Sequence, residues 1–174
     1  MRLSKWITKA SALMIVLVMT LSSIEAAPVA ASQKSAAKTT VPFQATFHHF
    51  SAPDGSCVDG VCDLTSYGYG TVNIMGSPFV LLVAHVLWHF NTSPCSTLES
   101  FEFTLVGETG SITISGTGTV CPGNSPDGFP ESTSLVGEIT GGTGEFSGIT
   151  GTITGQSLTV AVGPILRLSG DVSY

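Results

Sequence analysis

The sequence predicts an all-β protein, an antiparallel closed β-barrel. Three observations point there. From Phe43 onward apolar residues alternate with Thr, Ser and charged residues at period two, the alternating segments are short and bounded by glycine, and glycines recur inside the segments themselves. Several such segments at close spacing suit a closed barrel. Interior glycines at Gly68, Gly70, Gly116, Gly118, Gly151 and Gly155 suit a sharply coiled, tapering barrel better than a flat sandwich.

Phe43, Ala45, Phe47 and His49 share one face of a first strand. Leu64, Ser66, Gly68, Gly70, Val72 and Ile74 share a face of the next, with Tyr67 and Tyr69 on the other side. Residues 79–90 (FVLLVAHVLWHF) have no polar face, with Phe79, Leu81, Val83, His85, Leu87 and His89 opposing Val80, Leu82, Ala84, Val86, Trp88 and Phe90. A strand apolar on both faces must be covered on both; in a barrel its outer face would meet another subunit or a terminal segment, and a homo-oligomer is the simpler expectation. Segments 97–106 and 111–120 flank Gly107-Glu108-Thr109-Gly110, the pattern of a hairpin. Ile149 and Ile153 oppose Thr150, Thr152 and Thr154, and Leu166, Leu168 and Val172 oppose Arg167, Ser169 and Asp171.

The N-terminus precedes this pattern and differs from it. Arg2, Lys5 and Lys9 stand before an apolar run from Ala10 to Ile24, followed by alanines, which describes a secretory signal peptide over residues 1–26. Residues 27–42, rich in Ala, Ser, Thr and Lys without periodicity, read as a flexible tether. The barrel domain is then 43–174, with no membrane span left after cleavage and a location outside the cell or in its envelope. Cleavage would leave Lys34, Lys38 and Arg167 against 11 acidic residues, a formal charge of −8. Only 10% of the chain is charged, against about a quarter in ordinary globular proteins. This balance excludes nucleic acid, whose binding needs a clustered basic face, and it points to an apolar ligand.

An exported chain meets an oxidising compartment, so Cys57, Cys62, Cys95 and Cys121 are expected as disulfides rather than a metal site. Pairing Gly107 with Gly110 brings Cys95 and Cys121 within one residue of register, leaving Cys57 and Cys62 to close the loop SCVDGVC. No metal and no organic cofactor is expected. His85 and His89, four residues apart on a strand, lie about 13 Å from one another, too far to share a metal.

The stretch 139–154 (ITGGTGEFSGITGTIT) resembles the Gly-Gly-Thr-Gly-x-Phe signature of the allene oxide cyclase-like and dirigent-like β-barrels, through Gly141, Gly142, Thr143, Gly144 and Phe146. The resemblance implies an eight-stranded barrel with a hydrophobic cavity, often trimeric. Plant members cyclise an unsaturated fatty-acid epoxide or steer phenoxy-radical coupling, and Phe146 would plug one end of the barrel. The family's catalytic residues do not map onto this sequence, and no G-x-S-x-G nucleophile elbow occurs. The expected function is therefore binding of a small apolar molecule in the barrel, with a cyclase or isomerase as the alternative. Phe47, His49, Tyr67, Tyr69, His85 and His89 are the candidate cavity residues.

Overall fold

A computed structural model describes residues 38–48, 50–90, 94–121, 132–160 and 163–174. The expected leader, most of the tether and His49 lie outside the described residues. Nine strands form one antiparallel sheet: β1 (Thr40–His48), β2 (Asp54–Val58), β3 (Val61–Val72), β4 (Val80–His89), β5 (Ser96–Gly107), β6 (Gly110–Cys121), β7 (Ser132–Gly142), β8 (Thr150–Val160) and β9 (Gly163–Ser173). Eight close into a barrel in the order β1-β9-β8-β7-β6-β5-β4-β3, with β3 returning to β1, and β2 lies alongside β3 as an extra strand. The all-β, antiparallel, eight-stranded expectation holds.

The first strand begins earlier than its apolar pattern. Thr40, Val41 and Pro42, read from the sequence as the end of a tether, pair with Ser173, Val172 and Asp171 of β9 and belong to β1. Proline is tolerated here because the far edge of β1 is not in a strand ladder at this point: the Pro42 carbonyl accepts from Asn73 Nδ2 at 2.9 Å.

The β1–β3 seam is the shortest pairing in the closed ring, running only from Ala45↔Val72 to His48↔Tyr69. Side chains extend it at both ends. On one side, the Gln44 N–H donates to Asn73 Oδ1 at 2.9 Å while the Asn73 N–H donates to the Gln44 carbonyl at 3.0 Å. On the other, the Ser51 N–H donates to the Tyr67 carbonyl at 2.7 Å and the Tyr67 N–H donates to Ser51 Oγ at 3.0 Å. Beyond Ser51 the chain continues as β2 on the same edge of β3, with Asp54 opposite Thr65, a two-residue slip relative to β1. The backbones approach so closely at the seam that a Cβ on Gly70 would overlap the Thr46 carbonyl oxygen.

Both expected disulfides form, Cys57–Cys62 across the β2–β3 hairpin and Cys95–Cys121 at the base of β5–β6. The one-residue mismatch read from the sequence is absorbed by a bulge. Phe101 faces Gly116 in the register set by Gly107↔Gly110, but Leu98 faces Gly118 and Ser96 faces Val120. The slip at Glu99–Ser100, both exposed, brings Cys95 level with Cys121.

Gly70→Ala is expected to lower stability by about 2–3 kcal/mol through overpacking at the seam, and Asn73→Ala by about 1 kcal/mol through two lost hydrogen bonds at an exposed edge. Urea denaturation checks both values, and hydrogen exchange should show the Gln44 amide opening faster in Asn73→Ala.

Candidate ligand-binding site

The two ends of the barrel are built differently. At one end, the connections β3–β4, β5–β6 and β7–β8 close over large side chains. From these connections Met75, Phe146 and Ile149 join the core, beside the fully buried Phe43, Phe47, Leu82, Leu105, Ile112 and Ile114. Phe146 ends a single 3-10 turn, Gly144–Phe146, that docks on the β5–β6 turn. The Thr143 N–H donates to the Ser111 carbonyl at 2.9 Å, and the Ser111 N–H donates to Thr143 Oγ1 at 3.1 Å. Gly144 holds φ at 61°, and a Cβ there would overlap the Thr109 carbonyl oxygen, so this docking needs glycine. The Gly141–Phe146 motif thus plugs this end of the barrel.

At the other end the inward positions shrink to Ser66, Gly68, Ala84, Thr133 and Ser157, and the barrel opens into a cavity of about 200 Å³. Its walls are mainly Phe50, Val86, Trp88, Leu98, Phe103 and Leu166. Three hydroxyls enter it, from Ser66 on β3 and from Thr133 and Ser157, which face each other across β7 and β8. None of the three has a side-chain hydrogen bond to another described residue, and no ionisable side chain is among the lining residues. The Trp88 indole stacks on Phe90 with centroids 4.0 Å apart, and its N–H is buried without an acceptor among the described residues.

The candidate cavity residues of the sequence divide sharply. Phe47 points inward and is fully buried next to its register partner Leu166, a wall of the cavity, but does not itself line the cavity. Tyr67 and Tyr69 point outward, 46% and 54% exposed, because the inward set on β3 is Leu64, Ser66, Gly68, Gly70 and Val72. His85 and His89 are also outward, because β4 buries Val80, Leu82 and Ala84 and turns Val86 and Trp88 to the cavity. His85 Nε2 lies 2.6 Å from Asp63 Oδ1 and His89 Nδ1 lies 3.1 Å from Glu99 Oε1. Exposed pairs of this kind contribute little to stability. The described residues hold no group of three His, Cys, Asp or Glu able to bind a metal.

Sequence reasoning missed Ser66, Trp88, Thr133 and Ser157. Parity could have found two of them: of the two faces of 79–90, only the one with Trp88 lacks histidine, so it is the cheaper to bury, and Ser66 follows from pairing with Ala84. Among the described residues no helix is long and apolar enough to cross a membrane. The two disulfides fit an extracellular setting. Compared with protein-family models, curated proteins and solved structures, the chain matches none of them.

A larger concavity of about 580 Å³ crosses the exterior of β1, β9, β8 and β7, lined by Gln44, Thr46, Gln156 and Arg167 among others. Its lining is mixed and includes the charged Arg167, whereas the barrel-end cavity is walled mainly by apolar side chains. Filling that cavity with Ala84→Leu is expected to raise stability by about 1 kcal/mol, since the new side chain replaces void with contacts. The shift in thermal midpoint measures it, and a loss of stability would mean that the space is not available to an apolar group.

Proposed function

We propose that the protein is secreted and that its barrel takes up a small, largely apolar molecule at the open end without transforming it. The observation that carries this reading is the cavity lining: apolar walls, three hydroxyls and no ionisable group among the described residues. Such a surface favours transfer of an apolar solute from water but offers no group to move a proton. The alternative, a cyclase or isomerase of the allene oxide cyclase type, needs a convergent acid or base at the mouth. His85, His89, Tyr67 and Tyr69, which would have supplied one, face outward. The likeness of Gly141–Phe146 to the cyclase and dirigent signature supports the plugged barrel rather than the reaction.

The test is native mass spectrometry of the protein recovered from its own culture medium. An adduct of small mass is expected on the wild type and not on Ala84→Leu. Repeated recovery of empty wild-type protein, together with no binding of added hydrocarbons, would count against the proposal, and retention in the cell would count against secretion.

The outer face of β3–β4–β5 favours a homo-oligomer. Tyr69, Leu81 and Val106 form one row across the three strands, and Tyr67, Val83 and Thr104 form the next. Neither row carries a charge, so two acidic copies can approach there while their carboxylates stay apart. Light scattering on eluted protein is expected to give a multiple of the chain mass, and Leu81→Glu a single chain. A wild-type monomer would overturn this assignment.

A further inference from the structure

Resting on the reading of the cavity as a ligand site, we infer that its ligand is a neutral molecule of about single-ring size that carries an alcohol or carbonyl oxygen, held by the Thr133 and Ser157 hydroxyls. Size comes first. The cavity of about 200 Å³ is somewhat larger than the roughly 150 Å³ apolar cavity that accepts benzene. It therefore suits one substituted ring or a short branched chain and not a long acyl tail coiled within it.

Charge comes next. A carboxylate moved into this cavity would lose its hydration, and the described lining offers no Lys, Arg or His to replace it. An ammonium group would meet no carboxylate among the described lining residues. A charged ligand is disfavoured on either sign.

The hydroxyls then select among neutral ligands. Thr133 and Ser157 are register partners on neighbouring strands, a relation that sets Cβ atoms about 5 Å apart. One ligand oxygen can lie between them, accepting from both as a carbonyl, or donating to one and accepting from the other as an alcohol. Both inward positions belong to faces that are otherwise apolar or glycine, Leu135, Gly137 and Ile139 on β7 and Ile153 and Gly155 on β8. Ser66 adds a third hydroxyl from β3, on another wall. The Trp88 N–H is a buried donor for which the described fold supplies no acceptor. A hydrocarbon would leave these groups unpaired, and an oxygen-bearing ligand need not.

The full chain with Trp6→Phe leaves Trp88 as its one tryptophan, so its emission reports on the cavity wall. Four probes of similar size separate the possibilities: methylcyclohexane, cyclohexanol, cyclohexanone and cyclohexanecarboxylate at neutral pH. Cyclohexanol and cyclohexanone are expected to bind about tenfold more tightly, each relative to its own water-to-hydrocarbon transfer, than methylcyclohexane does. The carboxylate is expected not to bind. In Thr133→Val with Ser157→Ala the tenfold preference should vanish while methylcyclohexane still binds, which also shows that the variant is folded. Equal corrected affinities, a preference unchanged in the double variant, or tight carboxylate binding would overturn the inference and leave apolar uptake standing. If none of the four binds, the uptake reading itself fails.

Discussion

Closure of the barrel depends on one short seam. Every other neighbouring pair in the ring is held by longer ladders, such as the run from Thr40↔Ser173 to Phe47↔Leu166 between β1 and β9. Between β1 and β3 only four positions pair, from Ala45↔Val72 to His48↔Tyr69. An open sheet of these strands would expose two edges and the apolar interior face. The chain avoids this by letting Asn73 and Ser51 act as strand partners where the ladder stops, and by placing Gly70 where a Cβ would overlap the Thr46 carbonyl oxygen. The rest of the interior, including the cavity, exists only while that seam holds.

Given closure, the contents of the barrel follow from a gradient of side-chain size. Phenylalanine, leucine and isoleucine fill it toward the plugged end, and Ser66, Gly68, Ala84 and Ser157 leave room at the other. The staples sit where the room is. Cys57–Cys62 and Cys95–Cys121 both join strand ends at the open mouth, where small side chains at Ser66, Ala84 and Ser157 leave the cavity. The plugged end has no disulfide among the described residues and relies on Phe146 and the Ser111–Thr143 hydrogen bonds.

Much of this was legible in the sequence, for physical reasons that also show where legibility stops. Strand alternation is a local property, so the inward faces at Phe43, Ile112, Ile153 and Leu166 could be read directly. Disulfide pairing could be read because a tight hairpin fixes register, and only the bulge at Glu99–Ser100 was hidden. For β4 the alternation gave two apolar faces, and choosing between them required pricing two histidines against none, which would have excluded His85 and His89 from the cavity. The seam and the Thr133–Ser157 pair were not legible, because each joins residues far apart in sequence through closure and register.

The cavity is also informative as an energetic choice. A dry void in a protein core costs about 24 cal/mol per Å³ relative to a filled one, so 200 Å³ could forfeit up to about 5 kcal/mol, less where the mouth admits water. That is comparable to the whole margin of a modest domain, about 5–15 kcal/mol. Closing the loop between Cys95 and Cys121, a separation of 26 residues, contributes about 3.5 kcal/mol by restricting the unfolded chain. A barrel selected for stability alone would keep the disulfide and enlarge Ala84 or Ser66, as the filled end shows this sequence can do. Keeping the mouth small-lined beside its strongest staple is the pattern expected when the space has an occupant whose binding restores the lost contacts.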